Sequence, residues 1–204
     1  MFKNTLLSAI ILFTLNSYSQ VTFPIDFEND VVTSEHFINF LEGGGDTTGS
    51  VVDNPYPDEE NESLRVGKIV RDGGDIYAGN YLVLNDLINF NTNTTISMKV
   101  YSVSPGLLVK FKLENNDGSV ATDRDAYTST YNQWETLTWS FAGEPTNTYE
   151  RLVLMFDFGN IGNGTESSTF YFDDIYQTVG LAQIDMPITY DDSSIYYSLI
   201  PFGD

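Results

Sequence analysis

Acidic residues suggest the first chemistry that this sequence could perform. Two acids follow an apolar segment near residue 25, two more lie near residue 174, and a third pair precedes a β-rich segment near residue 65. Carboxylate oxygens are the ligands that Ca²⁺ prefers, and carboxylates held close together repel unless a cation or a basic group lies between them. Acidic turns without a metal are the alternative, since the whole chain is acidic. The candidate ligands are Asp26, Glu28, Glu59, Glu60 and Asp173.

A second chemistry comes from polar residues that alternate with apolar ones. In Val109–Glu114 the apolar side chains occupy one side and two lysines and a glutamate the other, as in a strand with one buried face. Tyr rings stack on the C–H faces of pyranose sugars, and Lys, Asp and Glu hydrogen-bond to hydroxyls. The candidate carbohydrate-binding residues are Tyr77, Tyr81, Lys99, Tyr101, Lys110, Lys112, Glu114 and Asp157. We expect them to share one open sheet face.

Ion pairing across the sheet is the alternative explanation for the same charges. Lys and Glu on neighbouring positions of a sheet pair with each other, which applies most directly to Lys112 and Glu114. It applies less to the tyrosines. If the lysines bind a glycan, replacing Lys110 and Lys112 with Ala weakens binding and barely changes stability; if they form ion pairs, stability falls and binding survives.

Catalysis finds little support in the composition. The chain has no cysteine and one histidine, which leaves no thiol nucleophile, no obvious Ser-His-Asp triad and no zinc ligand set. A carboxylate pair for glycoside hydrolysis is an alternative in any acidic chain. The net charge of −20 opposes binding to DNA, RNA or anionic lipid. We therefore expect a non-catalytic protein.

The elements that would position these residues are β-strands. Short segments rich in Val, Ile, Thr and aromatic residues are bounded by Gly, Asn, Asp or Pro, and no segment keeps a helical period for three turns. This pattern predicts an all-β fold, a sandwich or jelly roll. The predicted strands are Val21–Phe27, Phe37–Phe40, Ser63–Val70, Ile76–Leu84, Thr94–Tyr101, Leu107–Glu114, Trp134–Phe141, Leu152–Phe158 and Thr169–Tyr176.

The same alternation predicts which side chains fill the core. They are Leu82, Leu84, Ile96, Met98, Val100, Phe111, Leu113, Leu137, Trp139, Phe141, Leu152, Leu154 and Phe156.

Domain organisation follows from the two ends of the chain. Residues 1–19 combine Lys3, a short apolar run and small residues, as in a secretory signal peptide. We expect one domain over 20–178 that is secreted or held at the cell surface, without membrane insertion. Residues 179–204 read as a linker and the truncated start of a second copy, because 184–192 repeat the pattern of 21–29. Further modules or a catalytic domain would then be covalently linked.

The order of several short motifs resembles a known group of proteins. The motifs are Asp26-Phe27-Glu28, Tyr77-Ala78-Gly79, Lys112-Leu113-Glu114, Trp134–Thr138, Phe156–Gly159 and Tyr171–Ile175. They are similar to galactose-binding-like jelly rolls, and more narrowly to carbohydrate-binding modules of the family 4, 9 and 22 type. They are particularly similar to tandem copies of such modules in secreted proteins of marine Bacteroidetes.

This resemblance implies a structural Ca²⁺ that ties the first strand to the last. Its ligands would be the Asp26 carbonyl, the Glu28 side chain, Glu59 or Glu60, and Asp173. It also implies a polysaccharide across the concave face, near Tyr77 and Asp157. A structural or adhesive module without glycan specificity is the second expectation, and a glycanase or polysaccharide lyase, or its accessory domain, is the third.

Overall fold

The computed structural model describes residues 20–40 and 47–179. The predicted signal peptide at 1–19 and the predicted repeat at 184–204 lie outside these residues. Among the described residues, no helix is long and apolar enough to cross a membrane.

The described chain consists of strands and two single-turn 3-10 helices, at Ser34–His36 and Glu166–Ser168. The strands are β1 (Ile38–Asn39), β2 (Thr47–Asp53), β3 (Arg65–Gly73), β4 (Asn80–Val83), β5 (Thr95–Ser102), β6 (Leu108–Glu114), β7 (Ala121–Tyr127), β8 (Gln133–Ser140), β9 (Arg151–Phe156), β10 (Gly162–Asn163) and β11 (Thr169–Thr178).

These strands form two sheets, which confirms the predicted all-β sandwich. The five-stranded sheet has the order β1-β4-β9-β6-β7. The six-stranded sheet has the order β10-β3-β11-β5-β8, with β2 paired to β3. All of these pairings are antiparallel. Each sheet therefore presents one face to the core and one to the outside.

The core lies between the sheets and contains the apolar residues that alternation predicts. All thirteen predicted core side chains belong to one buried cluster, which confirms the assignment of faces. Phe111 packs on Trp139 with ring centroids 5.0 Å apart, and Phe156 stacks on Phe170 at 5.2 Å. Burying one such side chain contributes about 1.5–3 kcal/mol, so this core supplies the main stabilisation in a chain without disulfides.

Three strands were missed because their sequences lack an apolar alternation: β2, β7 and the two-residue β10. β2 (TTGSVVD) and β7 (ATDRDAY) are edge strands with mostly exposed or half-buried side chains. The sequence predicts a loop across Asp117–Asn132, but residues 121–127 pair with β6 along its whole length. An edge strand needs few apolar residues, because only one neighbour and one face constrain it.

The predicted first strand is shorter than its sequence suggests. Val21–Phe27 makes only two isolated bridges, from Val21 to Leu84 and from Ile25 to Ile175. The Ile25–Ile175 bridge has backbone hydrogen bonds of 2.8 and 3.0 Å. It confirms that the first and last segments are neighbours, so the Asp26–Glu28 segment lies alongside β11.

Candidate functional site

The outer face of the five-stranded sheet collects half of the predicted carbohydrate-binding residues. Register places Tyr81 opposite Val153, Val153 opposite Lys112, and Lys112 opposite Asp123. Lys110 and Glu114 lie on the same side of β6, one row away in either direction. Since neighbouring strands are about 4.8 Å apart, Tyr81 and Lys112 lie on one row about 10 Å apart. We call this surface the lysine face; it comprises Tyr81, Lys110, Lys112, Glu114, Asp123, Asp125 and Arg151.

Every cation on the lysine face has a carboxylate partner. Lys110 Nζ lies 2.6 Å from both Asp123 Oδ1 and Asp125 Oδ1, which the edge strand β7 supplies. Lys112 Nζ lies 2.6 Å from Glu114 Oε1, and Arg151 Nη1 lies 3.9 Å from Glu114 Oε2. Burial tends to lower the pKa of Lys110, but the two aspartates outweigh it and raise that pKa overall. The structure therefore contains the ion pairs that the alternative explanation of these charges predicts.

The same three cations also lie over aromatic rings. Lys110 Nζ is 5.0 Å from the ring centroid of Phe158, Lys112 Nζ is 4.9 Å from that of Phe40, and the Arg151 guanidinium is 5.0 Å from that of Tyr81. These distances suit cation–π attraction. Beneath them lies a small apolar cluster separate from the main core, formed by Tyr81, Val83, Val153 and Met155. The face thus combines rings, cations and carboxylates within one rigid sheet.

Two more predicted residues lie in loops at one end of this sheet. Tyr77 precedes β4 and is 42% exposed, and Asp157 follows β9. The two loops meet where Gly159 N donates to Ile76 O over 2.9 Å. A hydrogen bond from the Tyr77 hydroxyl to Asp75, together with the charge of Asp75, raises the pKa of Tyr77. The structure therefore groups Tyr77 and Asp157 at the Phe158 end of the lysine face.

The buried Arg71 side chain, which the sequence analysis missed, holds these loops. Arg71 points inward from β3 and is 1% exposed. Its Nη1 donates to the carbonyls of Phe156 and Asp157 at 2.7 and 2.6 Å, and its Nη2 to the carbonyl of Asn160 at 2.5 Å. Burial lowers the pKa of Arg71, and the charge of Asp157 partly offsets this. The only sequence signal was an arginine at a core-facing position of a strand.

Lys99 and Tyr101 do not belong to this surface, which corrects the prediction of one shared face. Both are on β5, in the six-stranded sheet, on the opposite side of the sandwich. Lys99 Nζ pairs with Asp174 Oδ2 at 2.9 Å, and Tyr101 is buried under Tyr56. Alternation assigned their outward orientation correctly. It could not tell which sheet each strand joins, because both sheets have outward polar faces.

Tyr101 instead forms part of an aromatic pocket on the six-stranded sheet. We call it the tyrosine pocket; Tyr56, Tyr101, Tyr131 and Tyr171 contribute its rings. Its volume is about 510 Å³, within the range of small-ligand sites. The sequence analysis missed it because Tyr56 and Tyr131 come from loops that alternation does not describe. An aromatic residue between two prolines, as in Pro55-Tyr56-Pro57, was the available signal.

Trp134 supports this pocket from below. It is 3% exposed, and its ring lies 5.7 Å from that of Tyr101. Its Nε1 donates to Tyr56 O over 2.7 Å. Trp134 therefore has a structural position beneath the pocket.

The acids predicted to bind calcium divide into two groups. Asp173 is fully buried, its Oδ1 accepts from Asp174 N at 2.8 Å, and its Oδ2 has no partner among the described residues. Burial raises the pKa of Asp173 to about 6, although the side chains of Ser63 and Asn61 beside it act in the opposite direction. An unpaired, buried carboxylate oxygen is a suitable ligand for a hard cation.

Asp26 and Glu28 lie along β11 but use oxygens for backbone contacts. Asp26 Oδ1 accepts from Glu28 N at 3.2 Å, and Glu28 Oε1 accepts from Arg65 N at 2.8 Å. Each carboxylate retains a second oxygen. Their segment is the one that the Ile25–Ile175 bridge holds against β11.

Glu59 and Glu60 are exposed and line a surface cleft with Gln133 and Trp134. The residue of that loop beside Asp173 is Asn61, which is fully buried. No group of three or more His, Cys, Asp or Glu side chains within residues 20–40 and 47–179 is arranged to hold a metal. The geometry thus favours Asp173 as a ligand and gives no support to Glu59 or Glu60.

Comparison by sequence returns no relatives. No family model matches the chain, and no curated protein matches it either.

Comparison by structure returns carbohydrate-binding β-sandwiches. The family 11 carbohydrate-binding module of a cellulosomal cellulase of Clostridium thermocellum is 13% identical, covers 79% of this chain and 96% of its own, and superposes with a TM-score of 0.53. A family 22 module with its attached family 10 catalytic module, from a Clostridium thermocellum xylanase complexed with xylohexaose, is 14% identical over 76% of this chain and 27% of that chain, with a TM-score of 0.51.

An exo-β-agarase has a similar region: identity is 13%, coverage is 76% of this chain and 24% of the agarase, and the TM-score is 0.55. At these identities the likeness establishes the fold, a β-sandwich of the kind found in carbohydrate-binding modules. Family 22 is among the neighbours; membership of family 4, 9 or 22 and the tandem Bacteroidetes arrangement stay predictions.

Proposed function

We propose that this chain is a non-catalytic carbohydrate-binding module that holds a polysaccharide across the lysine face. The observation that carries the proposal is the row of three cations, Lys110, Lys112 and Arg151, each within about 5 Å of an aromatic ring on one rigid sheet. The resemblance in fold to carbohydrate-binding modules supports it.

The chemistry of this face favours an acidic polysaccharide. Lys110 is bound to two carboxylates that both come from β7. A uronate of a polysaccharide could replace one of these aspartates without leaving a buried charge unpaired, because both aspartates are more than 40% exposed. Tyr77, at the end of the face, offers an exposed ring for stacking.

Affinity gel electrophoresis tests this proposal. Alginate and pectate in the gel should retard the wild-type chain, and Lys110→Ala with Lys112→Ala should reduce the retardation. Lys68→Ala is a matched control, because Lys68 lies on β3 of the other sheet. Retardation that is equal in the lysine double variant and in the wild type would contradict binding at this face.

A reciprocal variant separates glycan binding from simple ion pairing. Asp123→Asn with Asp125→Asn removes the carboxylates that compete for Lys110. If Lys110 contacts the polysaccharide, this variant should bind alginate more tightly than the wild type. Unchanged or weaker binding would show that the lysine serves the sheet rather than a ligand.

Calcium belongs to the same proposal as a structural ion. Asp173, the Asp26 carbonyl and Glu28 would hold it and so tie the first segment to β11. The unpaired Asp173 Oδ2 supports this ligand, whereas Glu59 and Glu60 are left out of the proposed site. Calcium should raise the melting temperature of the wild-type chain, and a chelator should reverse the rise. An identical melting temperature in both would contradict the site.

A structural or adhesive module without glycan specificity is the second candidate. The observation that favours it is the pairing of Lys110, Lys112 and Arg151 with carboxylates, which satisfies the face without a ligand. A folded chain that no polysaccharide in the panel retards would support this candidate. Release of reducing or unsaturated ends from any of these polysaccharides would instead support the enzyme alternative.

Export and linked modules complete the proposal. The residues at 1–19 would direct secretion, and an attached domain would gain local concentration of polymeric substrate from this module. Mass spectrometry of the exported protein should find an N-terminus at residue 20 or 21. Retention of Met1 in the exported protein would contradict the signal peptide.

A further inference from the structure

We propose a second carbohydrate site in the tyrosine pocket, on the opposite side of the sandwich from the lysine face, and we infer that it takes neutral rather than acidic sugar units. The pocket has its own residues and does not depend on the lysine face. A module with both sites could hold two different polysaccharide chains at once.

The aromatic rings of the pocket are held rigidly in place. Tyr56 stacks on Tyr101 with ring centroids 4.1 Å apart and planes 8° apart, and Tyr171 forms a T-shaped pair with Tyr56 at 5.6 Å. Tyr56 is also fixed through its backbone, since its N donates to Asn54 Oδ1 at 3.0 Å and its carbonyl accepts from Trp134. A platform that is ordered before binding loses little conformational entropy when a ligand arrives.

Tyr101 covers one ring face of Tyr56, and the rest of the Tyr56 side chain borders the pocket. Tyr56 is 43% exposed although it belongs to this packed cluster, and Tyr131 is 67% exposed. Grooves with exposed apolar rings and polar rims are typical of ligand-binding sites. The flat C–H face of a pyranose is the natural partner of such a ring.

The loop that carries Tyr131 is fixed by one carboxylate. Glu135 accepts hydrogen bonds from the backbone N–H groups of Ser129 and Thr130 and from both of their hydroxyls, at 2.7–3.2 Å. Asn132 N donates to Ser102 O at 2.6 Å. Glu135 is therefore a positioning residue for Tyr131.

Between the rings, the pocket is lined by groups that hydrogen-bond to hydroxyls. Ser104, Asn132, Glu166, Ser167 and Thr169 all border it. The side chains of Asn132 and Glu166 have no hydrogen-bond partner among the described residues. An amide and a carboxylate without partners are suited to adjacent hydroxyls of a sugar, which both donate and accept.

Charge decides between neutral and acidic sugars. Glu166 contributes a negative charge to the pocket, and none of its described lining residues is Lys or Arg. The nearby cation is Lys68, whose Nζ lies 6.0 Å from the centroid of the Tyr171 ring. A uronate or sulfate group would enter next to the Glu166 carboxylate, in a protein of net charge −20. The two faces should therefore discriminate in opposite directions.

A quaternary ammonium ligand is the other occupant that aromatic rings and a carboxylate suggest. Such cages surround the cation with ring faces. Here the inner face of Tyr56 lies against Tyr101, so fewer faces remain for a cation. The open, hydroxyl-lined shape favours a saccharide.

Affinity gels with mixed-linkage β-glucan, xylan and galactomannan test the site in the full chain. At least one of these neutral polymers should retard the wild type, and Tyr131→Ala should weaken that binding about tenfold, or about 1.4 kcal/mol. Tyr127→Ala is the matched control, because Tyr127 is 60% exposed and lies outside the pocket. Tyr56→Ala should abolish binding, with folding checked by its melting temperature.

The same gels distinguish binding at the tyrosine pocket from binding at the lysine face. Lys110→Ala with Lys112→Ala should leave neutral-polymer binding unchanged, and Tyr131→Ala should leave alginate binding unchanged. The pocket proposal would be overturned if no neutral polymer retards the chain, if Tyr131→Ala and the wild type bind equally, or if choline alone binds at the pocket. Loss of alginate binding in the lysine variant would still support the lysine face in each case.

Discussion

The two outer faces of the sandwich both carry aromatic rings and polar groups, but they are built in different ways. On the lysine face, neighbouring strands supply cations and carboxylates in register, and most pairs are 2.6 Å apart. On the six-stranded sheet, loops bring Tyr56 and Tyr131 beside Tyr101 of β5 and Tyr171 of β11, and the four rings surround a pocket. Register alone creates the first surface, whereas the second requires the tertiary fold.

This difference explains what each face offers a ligand. Asp123 and Asp125 are more than 40% exposed, so each of their pairs with Lys110 contributes little to stability, typically less than about 1 kcal/mol, and these carboxylates can exchange with those of a ligand. The rings of the tyrosine pocket are fixed against each other, so a ligand cannot replace one of them but can stack on the exposed part of the group. The lysine face suits an ionic polymer, and the tyrosine pocket suits a neutral one.

The largest effect on stability is expected from replacing Arg71, which connects the two sheets. Arg71 reaches from β3 to three carbonyls at the end of the five-stranded sheet. Arg71→Met keeps the apolar stem but leaves those buried carbonyls unsatisfied, so we expect a loss of at least about 3 kcal/mol in unfolding free energy. Urea denaturation measures it.

Lys68→Met is the control for this change, since Lys68 is a half-buried cation of the same strand. It should cost less than about 1 kcal/mol. Equal effects of the two variants would show that Arg71 does not carry the junction between the loops.

The sequence predicts the core well, the strand order less well and the loop contacts hardly at all. All thirteen side chains that alternation assigned to the core are buried there, because one buried face imposes a period of two on a strand. Other members of the cluster, such as Phe90 and Tyr149, lie outside the strands and were not predicted. Alternation also found the outward side chains of β5 and β6. It could not place Lys99 and Lys110 on different sheets, since strand order depends on contacts distant in sequence.

The alternation of apolar and polar residues does not predict the edge strands or the positions of the loops. Asp123 and Asp125 were read as loop residues, although they neutralise Lys110. Tyr56 and Asn61 acquire their roles only because the loop between β2 and β3 folds back over the six-stranded sheet. No local period records that contact.

The second prediction concerns the buried acid on the six-stranded sheet. The pKa of Asp173 is raised to about 6 from its ordinary 3.8, so the folded state binds the proton more tightly than the unfolded state. Stability therefore falls as pH rises between about 4 and 6, and the full penalty persists above it. In chelator at pH 7, Asp173→Asn should be more stable than the wild type by about 2–3 kcal/mol.

Calcium should reverse this order by pairing the ionised carboxylate in the wild type only. Chemical denaturation at pH 4 and pH 7, with calcium and with chelator, measures both effects. At pH 4 the advantage of the variant should vanish. A variant that is less stable than the wild type in chelator would contradict an unpaired charge at Asp173.

The ion pairs of the lysine face should make a smaller contribution to stability than Arg71 or Asp173. Lys110→Ala leaves Asp123 and Asp125 facing each other without a cation, so unfolding free energy should fall by about 1–2 kcal/mol, more at low salt than at high salt. The ion-pair alternative expects this loss, so alginate binding by the same variant decides whether Lys110 also contacts a glycan. Thermal denaturation of Lys110→Ala and of the triple variant that adds Asp123→Asn and Asp125→Asn tests the cause. The triple variant should recover most of the loss.

The smallest expected effect lies at the loop of the tyrosine pocket. Burial tends to raise the pKa of Glu135, but hydrogen bonds from Ser129 and Thr130 outweigh it and lower that pKa below its usual 4.5. Glu135→Gln keeps one acceptor oxygen and should cost about 1 kcal/mol or less. A folded pKa below the unfolded value contributes stability at neutral pH, and this contribution disappears as pH falls through the folded pKa.

The difference in stability between Glu135→Gln and the wild type should therefore narrow as the pH falls below about 4. At pH 7 the variant should bind neutral polysaccharide more weakly through a looser Tyr131 and bind alginate as the wild type does. Because Glu135 touches no proposed ligand, a change in alginate binding would mean that the two faces are coupled through the fold. Their independence, on which the comparison rests, would then be wrong.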